Sequence, residues 1–587
     1  MSESFTSLVD LCEKSCARFA DGPLFGTKVG DSWEWITYGE FCRLVDRFRG
    51  GLASLGVGRG DTVGIISNNR VEWAVGCYAT GGLGAAWVPM YEAQRPEDWR
   101  FILTDCGAKV CICADRRIYD HVLALKEQIS TLEHVVCLEG PASDPHTYAA
   151  LLKRGEEQPV EAYHPSGDEV AGLLYTSGTT GEPKGVILTH GNITSNINAV
   201  HQVFSFHPHD RSLSFLPWAH SFGQTAELHG LLSMGASIAI NDEIPNLIAN
   251  LPVVKPTLLF AVPRIFNRIY DGVNRQMAAK PAPIRALFHS AVDIATRKRR
   301  GERVTLLERI QLRIADRLIF SKVRQRFGGR LGFAVSGSAA LSKDVAEFVD
   351  ALGIEVYEGY GLTETSPIVT ANFPGARRIG SVGRPLPGVR VVIDPSAAGD
   401  DRDGEIIVYG PNVMKGYHNR PEETADVLLP DGGFRTGDMG RLDDQGYLWI
   451  TGRIKEQYKL ENGKYVVPSP LEEELKLSPY IANAMIWGDN KPYNVVLVVP
   501  DREAAEAWAA ERGKELDGIV DDPEFRQLIE EQVQQYSSRF KGYERPRKVA
   551  LTLEDFTTDN GLLTPKLSLK RNLVVARYGE LLEKLYA

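Results

Sequence analysis

Residues 173 to 190 read LLYTSGTTGEPKGVILTH. Thr176, Ser177, Thr179 and Thr180 offer hydroxyls in a stretch broken by Gly178, Gly181 and Gly185, with Lys184 close behind. Glycines let a backbone turn tightly and approach a ligand closely. Free N–H groups, hydroxyls and one ammonium together make a cradle for an anion, best suited to phosphates. Pro183 restricts the loop and removes a donor. The nucleotide-binding pattern G-x-x-x-x-G-K-[ST] is absent, because no Gly-Lys-Ser/Thr occurs here. A flexible Ser/Gly linker is the bland alternative. The apolar runs GLLY and GVILTH on either side argue against it.

Other reactive residue types carry weaker signals. The cysteines all fall between Cys12 and Cys137, and the tightest group, in DCGAKVCIC, lacks paired C-x-x-C spacing. Cys111 and Cys113 read as inward positions of one strand, packing as small hydrophobes. No disulfide framework is evident, which fits a reducing cytosol. The run Arg297 to Arg300, RKRR, falls at a break between two helices. It reads either as a solvated helix end or as a contact for anionic lipid or other phosphates.

The elements that must position the cradle alternate in type. TVGIISN, AAWVPMY, AKVCICAD, SLSFLP, PTLLFAVP, LGFAVSGS and IEVYEGYG are short apolar runs separated by helical stretches such as RVEWAVGCYATGGL. That pattern predicts an α/β fold with parallel sheets wrapped by helices. Ligands of such sheets collect beyond the carboxyl ends of the strands. Residues 270 to 330 predict long helices, with Leu307, Ile310, Ile314 and Leu318 forming an apolar stripe. After about 380, turn-rich segments such as GEIIVYGPNVMKGY and GRLDDQGYLWITGR predict a small antiparallel, barrel-like sheet. A shorter α+β segment follows Arg453, so the division expected is a large domain over 1–454 and a smaller one over 455–587.

With 587 residues, 43% apolar and 24% charged, the chain reads as a soluble globular protein of more than one domain. Its formal charge of -10 is spread along the chain, and no polybasic tail points to nucleic acid. The opening MSESFTSLVDLCEKSCARFA, with Leu8, Leu11 and Ala17 at helical spacing, lacks the basic start and apolar core of a signal peptide. No uncharged run approaches the roughly 20 residues that span a bilayer. The expected location is the cytoplasm, with peripheral membrane contact left open.

The stretch YTSGTTGEPKGV resembles the phosphate-loop signature of the adenylate-forming superfamily, which includes acyl-CoA synthetases, luciferases and peptide-synthetase adenylation domains. YEGYGLTETSP (357–367), GEIIVYGPNVMKGYHN and FRTGDMGRLDDQGYLWITGRIKEQYKLENGKYVVP match its later segments in order. The long helical insert, VPRIFNRIY and GGRLGFAVSGSAAL are similar to the long-chain acyl-CoA synthetase branch. The resemblance implies that residues 176 to 184 hold the β- and γ-phosphates of ATP, that Glu364 ligates Mg²⁺, and that Thr363 touches the α-phosphate. It implies that Tyr360 stacks on adenine within the Glu358, Gly359, Gly361 segment, that Gly337, Ser338 and Ala339 line that pocket, and that Asp438 and Arg453 reach the ribose. Each has a plain structural alternative: Glu364 as a helix cap, Tyr360 as core, Asp438 as a turn residue.

The resemblance further implies that Lys570, in LTPKLSLKRN, is the cation of adenylation. The family often has Gly-Lys there, this chain has Leu569-Lys570, and Lys566 is a rival. Lys455 falls at the family's hinge and Lys459 in the same region. A swing of the C-terminal domain there would withdraw Lys570 and present Gly463 to an incoming thiol. His220, in LPWAHSFGQ, matches a family aromatic near the acyl carboxylate. Gln224 stands where some long-chain enzymes place a gating tryptophan, and Trp218 is nearby but not equivalent. The activity implied is conversion of a medium- to long-chain fatty acid to acyl-AMP with pyrophosphate release, then transfer to CoA. A ligase loading a carrier-protein thiol and a non-catalytic nucleotide- or acyl-binding protein are the alternatives, with a luciferase-like oxygenase behind them.

Overall fold

The computed structural model describes residues 4–177, 182–397, 403–557, 560–564 and 569–587. Residues Gly178, Thr179, Thr180, Gly181 and Lys566, and the side chain of Ser177, lie outside that description.

The apolar runs form strands because branched and aromatic residues suit a pleated, buried surface. Ala86–Met90, Thr62–Ile66, Val110–Cys113 and His134–Cys137 pair in parallel, in that spatial order, and His134–Cys137 forms one edge of a seven-stranded sheet. Cys111 and Cys113 are fully buried in it. Val170–Ser177 joins the sheet in parallel, then turns back as the antiparallel strand Pro183–Thr189. The opposite edge strand is Gly416–Tyr417, which arrives from more than two hundred residues away and pairs with Val186 and Ile187. A second layer contains the parallel strands Leu258–Ala261, Phe333–Ser336 and Glu355–Gly361, followed by the antiparallel Ile368–Ala371 and Arg384–Pro385. The expected antiparallel subdomain is a four-stranded sheet of Arg390–Asp394, Gly404–Tyr409, Phe434–Leu442 and Leu448–Arg453. The smaller C-terminal domain is built on the strands Ile481–Trp487, Val495–Pro500 and Lys548–Leu551 with their own apolar cores. It meets the larger part through the Arg539–Asp344 ion pair and Leu477, which packs into the larger part's core.

Two sequence expectations resolve in an unforeseen way. Leu307, Ile310, Ile314 and Leu318 do lie on one helical stripe, but it faces solvent. The core side of that segment is Leu312, Ala315, Ile319 and Phe320. The RKRR run does end the helix Ala282–Arg299, yet Arg297 pairs with Asp293 and Glu308, Arg299 with Glu355, and Arg300 with Glu347. The three arginines of the run are thus paired within the protein.

A buried network sets the LPWAHS loop. Glu227, fully buried, accepts from the hydroxyls of Ser212 (2.7 Å) and Ser214 (2.6 Å). Ser214 also accepts from the Trp218 indole and the Asn69 amide. Glu227 belongs to a π-helical segment, Phe222–His229, a geometry that tends to sit at functional sites. Gln224 on the same segment is buried too.

Two predictions follow from this packing. A Cβ on Gly361 would come within 1.8 Å of the Pro367 carbonyl oxygen, whereas one on Gly272, in the helix Pro263–Ala278, meets nothing within 4 Å. Gly361→Ala is expected to lower the melting temperature or abolish soluble expression, and Gly272→Ala to stabilise by about 0.5–1 kcal/mol; thermal unfolding of both reads this. Burial pushes the Glu227 carboxyl up to about 7, against the lowering effect of its two serine donors. Folding therefore favours the protonated acid, and its contribution is full below the ordinary carboxylate range and lost as pH rises through about 7. Glu227→Gln, which has no charge to bury, should gain on the wild type by up to ~3 kcal/mol between pH ~4 and ~8. Melting curves at both ends check it; a pH-independent difference would refute the burial argument.

Candidate nucleotide and acyl site

The hairpin Val170–Ser177/Pro183–Thr189 puts Thr176 opposite Lys184 and Ser177 opposite Pro183, at the mouth of the glycine-rich turn. The Lys184 ammonium is ion-paired with Glu423 and stands 5.6 Å from the centre of the Tyr417 ring. Tyr417 is there because Gly416–Tyr417 pairs with the edge of the same hairpin. Its hydroxyl donates to Glu364 Oε1 at 2.9 Å. Burial and the Glu364 charge hold the phenol well above its ordinary pKa, so it remains a donor. Lysine, tyrosine and glutamate, from three distant motifs, thus meet at one place. Glu364 is not a helix cap in the sense considered above; it lies in the short turn Thr363–Thr365 with its carboxylate toward Tyr417.

The acyl-side candidates adjoin this cluster. The Thr363 hydroxyl lies 3.2 Å from that of Ser221, the residue after His220. The Phe222 N–H donates to His220 Nδ1 at 3.1 Å, which orients the ring and makes Nδ1 an acceptor. The Phe222 ring in turn closes on Gly337, where a Cβ would stand 3.1 Å from it. Ser338 adopts φ +71, a left-handed conformation that a non-glycine residue rarely takes and that tends to mark binding sites. Ser338 and Ala339 are exposed just beyond the carboxyl end of the parallel strand Phe333–Ser336.

The adenosine-side candidates form one chain of contacts. The Tyr360 hydroxyl donates to Asp438 Oδ2 at 2.7 Å, and Arg453 Nε lies 3.0 Å from Asp438 Oδ1. Asp438 and Arg453 are direct partners across adjacent antiparallel strands. Burial pushes the Asp438 carboxyl upward while Arg453 draws it back, and the Arg453 guanidinium is raised in return. A carboxylate has about four lone-pair sites, so Asp438 keeps capacity for hydroxyl donors. Gly359 lies on the same strand as Tyr360, with the Thr370 carbonyl oxygen 3.2 Å from where its Cβ would be. Glu358 lies two residues before Tyr360 on the same strand. It is buried and accepts from the Leu341 and Gly380 backbone, and burial pushes it up to about 8. It anchors the 337–341 loop from behind.

The C-terminal candidates sit apart. Lys455 is in the turn Ile454–Glu456. The Lys459 ammonium is 5.5 Å from the Tyr465 ring centre, and Gly463, at φ +81, makes the turn between the short strands Tyr458–Lys459 and Tyr465–Val466. Lys570 precedes the helix Arg571–Glu583, its N–H bonded to the Leu562 carbonyl. Among the described residues, no hydrogen bond or ion pair joins Lys459 or Lys570 to the Lys184–Glu364 cluster. Arg571 is fixed by a buried pairing with Glu472.

Tyr417, Glu423 and Ser221 were not singled out in the sequence. Tyr417 and Ser221 lie inside segments flagged above, whereas Glu423, in RPEETADV, looks like any acidic residue opening a helix. Among the described residues no group of three or more His, Cys, Asp or Glu could hold a metal. Glu364 Oε2 takes no hydrogen bond there, which leaves one carboxylate oxygen for a hard cation that often uses only one or two protein carboxylates.

The chain is similar to known proteins along both of its parts. The family model for AMP-binding enzymes matches residues 12–418, and that for the AMP-binding enzyme C-terminal domain matches 455–587. The long-chain-fatty-acid–CoA ligase FadD15 of Mycobacterium bovis is 34% identical over 96% of this chain and 94% of its own length. The peroxisomal long chain acyl-CoA synthetase 7 of Arabidopsis thaliana is 31% identical over 97% of this chain and 85% of its own. In fold, the adenylation domain of a carboxylate reductase from Mycobacterium chelonae superposes with a TM-score of 0.81 at 24% identity, covering all of this chain and 92% of that one. The match along both parts, together with the convergence of Lys184, Tyr417 and Glu364, shows that the chain belongs to the AMP-binding enzyme family.

Proposed function

We propose that the protein is an ATP-dependent ligase that activates a medium- to long-chain fatty acid as acyl-AMP and passes the acyl group to CoA. The observation that carries this reading is the meeting of Lys184, Tyr417 and Glu364 beside Thr363, Ser221 and His220, with Tyr360, Asp438 and Arg453 linked on the adenosine side. Relatives named as long-chain fatty acid–CoA ligases align along almost the whole chain, which supports the same substrate class.

A carboxylate is a poor electrophile, and activation must bring it against a polyanion. Its oxygen attacks the α-phosphorus of ATP, the bond to the β-phosphate's bridging oxygen breaks, and pyrophosphate leaves. The residues 176–184 and Lys184 neutralise the β- and γ-phosphates, the positions where negative charge must be held. Glu423 occupies the Lys184 ammonium until a polyphosphate displaces it. Glu364, steadied by Tyr417, would hold Mg²⁺, which when bound supplies charge neutralisation at the phosphate oxygens. Tyr360, its hydroxyl anchored on Asp438, presents a ring of fixed orientation to adenine; Asp438 and Arg453 address the ribose; Gly337, Ser338 and Ala339 admit the base closely. The mixed anhydride then has a good leaving group, and the CoA thiol, giving up its proton, attacks the acyl carbon and expels AMP. Splitting one hard step into two easier ones is the gain.

The division proposed is 1–454 and 455–587 with a hinge near Lys455. Lys570 acts in the first half-reaction; rotation then withdraws it and brings the Gly463 turn and Lys459 toward the thiol path. A compact, mobile charge suits a group that must leave between steps.

Pyrophosphate release with ATP, Mg²⁺ and a panel from octanoate to oleate tests the reading. Release that depends on the acid, with AMP freed when CoA is added, is expected. No release with any acid would refute the activity, and an adenylate trapped by hydroxylamine but inert to CoA would assign a carrier-protein thiol as acceptor. Lys570→Ala should lower adenylation by ~10²–10³-fold, the usual effect of deleting one charge-stabilising group. It should leave thioester formation from supplied acyl-AMP nearly unchanged; equal loss of both steps would contradict the swing.

A further inference from the structure

The helix Leu306–Ala315 and the π-helical turn Asp316–Phe320 that continues it carry apolar residues on two sides. One side, Leu312, Ala315, Ile319 and Phe320, packs into the core. The other, Leu306, Leu307, Ile310, Ile314 and Leu318, is between 45% and 78% exposed. A single exposed leucine needs no explanation, but five along one helical row do. Beside the apolar row runs a second one of Arg309, Arg313 and Arg317, each exposed and each one residue before an apolar neighbour. None of the three guanidinium groups has an ion-pair or hydrogen-bond partner among the described residues. The acidic residues of the segment are spent: Glu308 caps the helix and pairs with Arg297, and Asp316 pairs with Arg324. An apolar stripe edged by uncompensated arginines is the pattern of a helix that lies in a membrane interface.

We propose that this face docks on the surface of an anionic phospholipid bilayer, the leucine and isoleucine side chains entering the headgroup–acyl boundary and the arginines meeting lipid phosphates. Charge selects this occupant over a second copy of the chain. A two-fold pairing of the same face would set one arginine row against the other, with no acidic residue of the segment free to separate them. No described helix is long and apolar enough to cross a membrane, so the contact is peripheral. The RKRR run takes no part, since its arginines are already paired within the protein.

The test uses the full chain without ATP or fatty acid, so its outcome is independent of the ligase reading. Flotation with phosphatidylglycerol–phosphatidylcholine vesicles should carry the protein, vesicles of phosphatidylcholine alone should carry far less, and added salt should release it. Arg309→Gln/Arg313→Gln/Arg317→Gln should weaken binding by roughly 100-fold, about fivefold for each basic residue removed. Leu307→Ser/Ile314→Ser should also weaken it, with both variants melting like the wild type. Amide exchange on the wild type gives a variant-free reading: anionic vesicles should protect residues 306–318. No flotation with anionic vesicles at low salt, vesicle binding unchanged in the arginine variant, or protection elsewhere and not in 306–318 would each overturn the proposal. So would a wild-type dimer that Leu307→Ser/Ile314→Ser dissociates while vesicle binding persists, which would make the face a contact between copies.

Discussion

The pairing of Gly416–Tyr417 with Val186 and Ile187 is the contact on which the site depends. A two-residue strand contributes little stability, yet it closes the sheet edge beside the glycine-rich hairpin and fixes where the Tyr417 ring falls. That ring lies near the Lys184 ammonium and its hydroxyl reaches Glu364, so one side chain sets the spacing between the cation and the carboxylate. Without it, two opposite charges on separate elements would be free to collapse together or drift apart. The backbone hydrogen bonds of the edge are directional, and this turns a long-range meeting of loops into a defined geometry.

Charge is handled differently around Tyr360, Asp438 and Arg453. Asp438 is almost wholly buried, and an isolated carboxylate there would be costly. Arg453, directly across the ladder, and the Tyr360 hydroxyl compensate it. Such pairs contribute little net stability over apolar packing, but losing one partner strands the other. The arrangement therefore serves orientation: the phenol that anchors the Tyr360 ring is held by the carboxylate that Arg453 also holds. The buried Glu358 carboxyl accepts from the Leu341 and Gly380 backbone, and Ser338, exposed in the same loop as Leu341, carries the left-handed backbone.

The helical region between 263 and 326 has two unlike faces in one stretch of chain. One face of the segment 306–320 completes the second core, and the other leaves apolar and basic rows in solvent. Periodicity sees a row of apolar residues and has no term for which way it turns. Only packing, with Leu312, Ala315, Ile319 and Phe320 taken inward, shows that the more regular row is the outer one.

Alternating strand and helix runs, the antiparallel character after 380, and a separate C-terminal part were legible in the sequence because burial periodicity and turn residues are local. The family was legible because four motifs recur in order. The residues that link those motifs were less so. Tyr417 and Ser221 lay within flagged segments but had no visible task until Glu364 and Thr363 stood next to them, and Glu423 resembled any acid at a helix start. The inward turn of Glu358 and the outward turn of the 307–318 stripe were equally hidden. Residue type and local spacing determine which elements form and which chemistry is on offer. Which side chains share a charge, a hydrogen bond or a surface is decided by contacts between positions hundreds of residues apart, and only the packed tertiary structure sets those distances.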